Sequence, residues 1–213
     1  ALPIRSAHAP IHVVVDSSGL KVYGEGEWKV RQHGWSQRRT WRKLHLGINE
    51  ATGEIVAETL TPHKVDDASQ IEPLLEQIDE DVESLGGDGA YDKQKVFEIL
   101  ADPPQGRPIR PVIALRKDAK IHQHGNTKAP PLARDEILRA IRRKGRKGWK
   151  KASGYHRRSL AETQMYRYKQ LIGDKLRARI LTNQQVETRL GCAILNRMTH
   201  LGKPASYKVE KNN

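Results

Sequence analysis

Short apolar runs separated by polar turns dominate the first half of the chain. IHVVVDSS predicts a buried strand that ends at Asp16 and the two serines after it. Beyond the polar, Gly-rich stretch GEGEWKVRQHGWSQRR, the segments TWRKLHLGI and IVAETLT flank the turn NEATGE and predict a β-hairpin. VESLGGDGAYD predicts a strand that ends at Asp88, and RPVIALR predicts another buried strand.

A helical period occurs between and after these strands. DDASQIEPLLEQI predicts a helix with an aspartate cap, and DKQKVFEILAD predicts a short helix that a Pro-Pro pair terminates. The segment 117–150 is polar and predicts a loop or insertion with one helix near 134–143. A helix over about 155–169, a strand LRARIL at 176–181 and a last helix near 184–200 complete the pattern.

This order of strands and helices predicts an α/β fold, a mixed β-sheet with helices packed on it. A chain of 213 residues that is 37% hydrophobic can bury one substantial core. We therefore expect one domain over residues 1–213, with the basic insertion at about 117–150 preceding the helix that contains Glu162. The single cysteine, Cys192, excludes an internal disulfide and is expected to be a small buried residue in a reducing cytosol.

Charge is distributed unevenly between the two halves of the chain. Residues 1–100 contain 11 Lys and Arg against 17 Asp and Glu, a net charge of −6. Residues 101–213 contain 27 against 8, a net charge of +19. The overall charge of +13 indicates a polyanionic partner, nucleic acid before an acidic membrane surface, and no apolar run is long enough to span a membrane. The division predicts that one half binds cations and the other binds phosphates.

Two aspartates stand where predicted strands end. Asp16 follows the first strand, and Asp88 lies between glycines in GGDGAYD. A carboxylate at the end of a strand is held rigidly and suits a metal ligand, and the glycines leave space for a ligand to approach. Taken alone, each aspartate fits an ordinary turn better, in which the side chain caps backbone N–H groups.

Glu162 is the single acid in the cation-rich stretch YHRRSLAETQMYRYK. At about 100° per residue, Tyr155, Arg158, Glu162 and Lys169 fall within a helical stripe about 60° wide. A pair between Arg158 and Glu162 on a solvated surface, worth about 0.3–0.5 kcal/mol, accounts for two of the four. Reactions at a phosphodiester are catalysed well by two divalent cations that acidic side chains bind, with Arg and Lys nearby to bind the phosphates. Such a site would account for all four residues of the stripe.

Several segments together resemble a known family. HVVVDSSGLKVYGEGEW, RRTWRKLHLGI, GDGAYD and the spacing Y-(2)-R-(3)-E-(6)-K resemble the DDE transposases of bacterial insertion sequences, in the insertion sequence 4 and 5 families and most closely family 5. The resemblance covers nearly the whole chain. It implies a ribonuclease H-like fold and two Mg²⁺ or Mn²⁺ ions bound by the catalytic acids Asp16, Asp88 and Glu162. Asp92, in the second motif, is the alternative acid if the alignment shifts.

The same resemblance implies that residues around the third acid contact DNA or support the site. Tyr155, Arg158 and Lys169 are expected in this role. Ten Lys and Arg lie within 139–158, and binding to double-stranded DNA is expected to weaken steeply with salt. The candidates here are Arg142, Arg143, Lys144, Arg146, Lys147, Trp149, Lys150 and Lys151. Trp149 fits an anchor of the loop better than a platform for a flipped base.

The activity implied by the resemblance is cleavage of DNA at transposon ends and transfer of the strand into target DNA. A homodimer on DNA, in the bacterial cytoplasm and associated with the nucleoid, is expected. Fifteen residues precede Asp16, so an N-terminal DNA-binding region is expected to be absent or encoded separately. Two alternatives remain: a ribonuclease H-like nuclease or junction resolvase that cuts without joining, and a non-catalytic basic DNA-binding protein, such as an inactive remnant.

Overall fold

A mixed β-sheet forms the centre of the molecule, in a computed structural model that describes residues 2, 4, 10–22, 41–104, 106–123, 128 and 130–202. Within this part of the chain the strands are β1 (Ile11–Val22), β2 (Trp41–Asn49), β3 (Ile55–Pro62), β4 (Val82–Gly87), β5 (Arg110–Ile113) and the short β6 (Lys175–Leu176). The order is β3-β2-β1-β4-β5, and β6 pairs with β1. β1, β2 and β3 pair antiparallel, whereas β4 and β6 pair parallel to β1, and β5 parallel to β4. The predicted mixed sheet is confirmed.

Helices cover both faces of this sheet. They are α1 (Ile71–Leu75), α2 (Gln94–Ala101), α3 (Ala133–Ser153), α4 (Ser159–Leu171) and α5 (Leu181–Leu201) in the described residues. Short 3₁₀ turns lie at Asp67–Gln70, Gly89–Tyr91 and Tyr155–Arg158. None of the described helices combines the length and the apolar character that crossing a bilayer requires.

The alternation of β1 separates two hydrophobic clusters. Val13 and Val15 pack in a cluster with residues of α1, α2 and α3, and Val14 packs in the other with residues of α4 and α5. Cys192 belongs to the second cluster and is buried there, as predicted. Because side chains alternate along a strand, Asp16 lies on the same face as Val14, which is the face that α4 covers.

Two predicted strand ends are wrong. β1 does not end at Asp16 but continues to Val22, because its antiparallel pairing with β2 extends along this whole segment. The predicted strand at 176–181 stops at Leu176, because the next two backbone N–H groups donate to the carboxylate of Glu187 at 2.9–3.0 Å instead of to a neighbouring strand.

The predicted loop or insertion at 117–150 contains more helix than expected. α3 runs from Ala133 to Ser153 and is kinked at Gly145 (φ 70°, ψ 158°). The hydrophobic pattern did not predict its second half because KGRKGWKK contains a single apolar side chain, that of Trp149.

Asp66 occupies the predicted cap position, but its side chain pairs with Lys93 at 2.5 Å. The Gly-rich stretch GEGEWKVRQHGWSQRR lies outside the described residues.

Candidate active site

Asp16 lies in β1, and Asp88 directly follows β4, the neighbouring parallel strand. β1 and β4 pair in register at Val14 with Gly86, and each aspartate lies two residues beyond that pair. Both side chains are partly buried. The strand register therefore places these two predicted acids at the same level of the sheet.

Backbone N–H groups hold both carboxylates. Asp16 Oδ1 accepts the N–H of the next residue at 2.9 Å, and Asp88 Oδ1 accepts the N–H two residues ahead at 2.8 Å, capping a 3₁₀ turn. Gly87 serves packing here, because a Cβ atom at this position would lie 2.8 Å from Cδ2 of Tyr91. The glycine next to Asp88 thus lets the Tyr91 ring fold against the strand end.

Glu162 lies in the first turn of α4, which packs on β1 and β2. Its Oε1 atom accepts from Nη2 of Arg158 at 2.6 Å, and its side chain is 53% exposed. The predicted helix over 155–169 is a 3₁₀ turn, Tyr155–Arg158, followed by α4. The spacing of 100° per residue therefore does not apply to Tyr155, whereas Arg158 still contacts Glu162 as an i,i+4 pair.

Asp16 has a raised pKa, chiefly because its side chain is buried. The charges of Asp88 and Glu162 raise it further. The N–H of Ser17 and the guanidinium of Arg158 lower it. The strand register of Asp16 and Asp88 and the packing of α4 on β1 accord with these interactions. Among the described residues, no three acidic, histidine or cysteine side chains are arranged as a metal-binding group, and Glu162 is bound to Arg158 instead.

Asp92, the alternative acid of the second motif, has a structural role. Its side chain is buried and accepts from Nε of Arg134 at 2.8 Å and from the backbone N–H of Arg116 at 2.9 Å. The guanidinium of Arg134 is buried as well. A carboxylate paired in this way holds α3 against the chain that follows β5, so Asp88 is the stronger candidate.

A polar network beside Asp16 was not predicted. Ser17 Oγ donates to Asp67 Oδ1 at 2.9 Å, and Lys43 Nζ lies 2.9 Å from the same oxygen. His45 is fully buried, and its Nδ1 atom lies 3.6 Å from Asp67 Oδ1. Burial lowers the pKa of His45 to about 4, so the ring is neutral at pH 7. Lys43 and His45 lie inside the predicted strand TWRKLHLGI, and their presence there is the sequence feature that could have revealed this network.

Known proteins share this arrangement of sheet and helices. The family model described as the transposase DDE domain matches residues 7–197. The chain belongs to the transposase DDE domain family. A cryo-EM structure of the piggyBac transposase synaptic complex with hairpin DNA resembles it in fold, with a TM-score of 0.51 and 7% identity over 90% of this chain. The match covers 47% of that chain, so this chain spans about half its length.

Cations of the transposase domain are concentrated along α3. Six of the predicted DNA-contacting side chains are exposed there: Arg142, Arg143, Lys144, Lys147, Lys150 and Lys151. Arg146 instead donates to two backbone carbonyl groups after β5 at 2.7 Å. Trp149 is only 6% exposed and packs on Tyr155 with ring centroids 5.7 Å apart. These two residues attach α3 to the body of the domain, which favours the anchor interpretation of Trp149.

Two further predicted residues support the segment that carries Glu162. Lys169 Nζ donates to Ser18 Oγ at 2.6 Å and so connects α4 to β1. The ring of Tyr155 has Lys150 and Arg158 over it, at 4.9 and 5.9 Å from its centroid. Burial raises the pKa of the Tyr155 hydroxyl, so it stays protonated at pH 7.

A polar cleft of about 540 Å³ in the transposase domain is lined by Tyr155 and Arg158 but by none of the three candidate acids. His12, Ser84 and Arg110 line it from the sheet, and Lys151, Arg157 and Arg158 line it from the end of α3 and the 3₁₀ turn. His12 Nδ1 and Ser84 Oγ are 2.8 Å apart. The cleft therefore adds cationic groups to the face of the sheet that holds Asp16.

Proposed function

We propose that the chain is the catalytic domain of an insertion-sequence transposase, most closely of family 5, which cuts DNA at the ends of its element and joins the 3′-hydroxyl to target DNA. Asp16, Asp88 and Glu162 carry this proposal, because the strand register puts Asp16 and Asp88 at one level of the sheet and α4, which carries Glu162, packs on β1. The charges of Asp88 and Glu162 also act on Asp16, whose pKa is raised chiefly by burial. The match to the transposase DDE domain over residues 7–197 supports it.

Asp16, Asp88 and Glu162 would hold two Mg²⁺ or Mn²⁺ ions. Carboxylate oxygens are the hard donors that these ions prefer. Burial, and to a smaller extent the charges of Asp88 and Glu162, raises the pKa of Asp16, and bound cations would offset both effects. When bound, such ions activate the attacking oxygen and stabilise the charge on the leaving oxygen.

Arg158 has two partners in this mechanism. In the protein alone it donates to Glu162 at 2.6 Å. A DNA phosphate offers the guanidinium a bidentate, charge-assisted partner. DNA that docks on the Tyr155–Arg158 turn would therefore attract Arg158 and release the carboxylate of Glu162 for metal binding. In this way DNA binding and completion of the acid site are coupled.

The exposed cations of α3 would bind double-stranded DNA. The piggyBac transposase was solved in a synaptic complex with hairpin DNA, which supports DNA as the partner here. A homodimer on the DNA is part of the same proposal. Each phosphate contact releases counterions and contributes about 0.9 to the slope of log Kd against log salt concentration. We expect the double variant K144A/K147A to reduce this slope by about 2, measured by fluorescence anisotropy with a labelled duplex over a series of NaCl concentrations.

Cleavage by the full chain tests the assignment of the acids. Supercoiled plasmid is incubated with the protein and Mn²⁺, and nicked and linear products are measured. D16N, D88N and E162Q should each be inactive, whereas E72Q, a control at an exposed acid of α1, should cleave like the wild type. Cleavage at the wild-type rate by any of the three variants would contradict the proposed site.

An assay for DNA strand joining distinguishes a transposase from the two alternative functions, a nuclease or resolvase and a non-catalytic DNA-binding protein. The protein is given a labelled duplex with a free 3′-hydroxyl end and a plasmid target, and transfer of the label into the plasmid is measured. A nuclease or junction resolvase would cut the plasmid without ever producing joined DNA. A non-catalytic DNA-binding protein would do neither, and its affinity for DNA would not respond to EDTA.

A further inference from the structure

The outer face of α5 is apolar. One side of this helix packs on the sheet through Cys192 and Leu195. The opposite side exposes five large apolar side chains, each between 40% and 78% accessible: Val186, Leu190, Ile194, Met198 and Leu201. A surface helix of a globular protein normally presents one apolar stripe to the core and polar residues to the solvent. The second stripe of α5 therefore indicates a protein surface that is covered in use.

Four of these side chains form a ridge that runs obliquely along the helix. Val186, Leu190, Ile194 and Met198 are spaced by four residues, and rows with this spacing are the ridges that pack between two helices. When such rows interdigitate, the two helices cross at about −50°. We call these four residues the α5 ridge.

We propose that the α5 ridge binds the α5 ridge of a second copy of this chain, with the two helices antiparallel. The ridge is self-complementary about a two-fold axis at the level of Cys192. This axis brings Val186 of one copy beside Met198 of the other, and Leu190 beside Ile194. A two-fold contact requires this kind of match, in which the same patch serves on both sides.

The charges on this face favour the antiparallel arrangement. Glu187 and Arg197 flank the ridge, and the same two-fold axis brings Glu187 of one copy to the level of Arg197 of the other. A parallel pair would bring Arg197 to the level of Arg197, where like charges repel. Arg197 is exposed, and Glu187 is anchored by two backbone N–H groups after β6.

The ridge alone makes a small interface. Stable protein–protein interfaces involve about 20–30 residues on each side, which is far more than one helix face provides. We therefore expect dimers that form in the micromolar range and that strengthen when both copies bind one DNA molecule, because DNA raises their effective concentration. The inference does not depend on the proposed catalytic role.

Sedimentation measures this association with the full chain over a concentration series. The wild type should show a monomer–dimer equilibrium, and L190E should raise the dissociation constant at least about 10-fold, because a buried unpaired charge is costly. L171E, which introduces the same change at an exposed leucine of α4, is the matched control and should dimerise like the wild type. Circular dichroism melts show whether each variant is folded.

Cysteine cross-linking tests the antiparallel register. Leu190→Cys and Ile194→Cys proteins are oxidised separately and as a mixture, and disulfide-linked dimers are quantified. The mixture should yield clearly more cross-linked product than either variant alone or than a mixture of Leu190→Cys with Leu171→Cys. The native Cys192 is buried and its pKa is raised, so it should not react. A monomer at every concentration, as when the chain's own residues 203–213 cover the ridge, or equal cross-linking in all mixtures, would overturn the inference.

Discussion

The sheet and the helix supply the three candidate acids in different ways. Asp16 and Asp88 are attached to neighbouring strands, and each accepts a backbone N–H group. Glu162 is attached to a helix and bound by the side chain of Arg158. A strand position is fixed by its hydrogen-bond ladder, whereas an exposed side chain changes rotamer within nanoseconds. The candidate site thus combines a fixed pair of acids with an adjustable third.

The helix that carries the adjustable acid is itself anchored at both ends. Trp149 packs on Tyr155 just before α4, and Lys169 reaches Ser18 near its end. The side chain of Glu162 can therefore move while its backbone stays in place. Substitutions can therefore address the three acidic side chains separately.

Asparagine at either fixed position should have the largest effect. We expect D16N and D88N to reduce plasmid nicking by at least about 10³-fold, because a lost metal ligand removes several kcal/mol of transition-state stabilisation. E162Q should be equally inactive if the adjustable acid is a ligand too. An E162Q variant that keeps a tenth or more of the wild-type rate would mean that the fixed pair suffices.

The same D16N variant should be more stable than the wild type in the absence of metal. Burial raises the pKa of Asp16 in the folded protein, so its deprotonation costs stability as the pH rises through that pKa. Asparagine removes this cost, and we expect the melting temperature at pH 7 to rise. The difference should disappear in acid, where Asp16 is protonated in both states. A lower melting temperature at pH 7 would contradict the electrostatic account.

Replacement of Trp149 by alanine tests the anchor before α4. We expect the free energy of unfolding to fall by about 3–5 kcal/mol, as for other buried tryptophans, measured by urea denaturation. DNA affinity of the folded protein, measured at low temperature, should change little. Unchanged stability together with weakened DNA binding would instead support the role of Trp149 as a platform for a base.

Hydrophobic patterns within short segments predicted most of the strands, but they did not predict the side-chain contacts between distant segments. The apolar runs indicated the long strands, and their order indicated the mixed sheet. The continuation of β1 through DSSGLKV was missed because its polar residues find distant partners: Ser17 binds Asp67 and Ser18 binds Lys169. The spacing of apolar residues within one segment carries no information about contacts with segments far away in the chain. For the same reason the salt bridge that gives Asp92 a structural role could not be predicted, since its partner Arg134 lies far away in the chain.

Replacement of Ser17 should affect Asp16, one of the two fixed acids, less than replacement of Asp16 itself. Its N–H binds Asp16 and its hydroxyl binds Asp67, so S17A removes a support while the acid remains. Loss of one hydrogen bond, about 0.5–1.5 kcal/mol, should lower kcat about 2–10-fold without changing KM for DNA. S17T should restore the rate. A change confined to KM would show that the network contributes to DNA binding instead of positioning Asp16.

Replacement of Lys169 tests the contact that attaches α4, the helix that carries Glu162, to β1. K169M removes the bond to Ser18 and should lower the free energy of unfolding by about 1 kcal/mol. S18A should cost a similar amount, and the double variant should cost no more than one single variant, because both remove the same contact. Additive losses in urea denaturation would show that Lys169 stabilises the fold through another contact.

Arg158 should give the smallest and most specific effect. R158A frees Glu162 from its partner at 2.6 Å, so the affinity for Mn²⁺ without DNA should rise about twofold, the equivalent of a surface ion pair of about 0.3–0.5 kcal/mol. R157A is the matched control, because Arg157 pairs with Glu50. In the E162Q background the R158A substitution should leave Mn²⁺ affinity unchanged, as titration calorimetry can measure. A gain that persists in E162Q would come from the loss of positive charge alone, and Glu162 would then be no more adjustable than the aspartates on the strands.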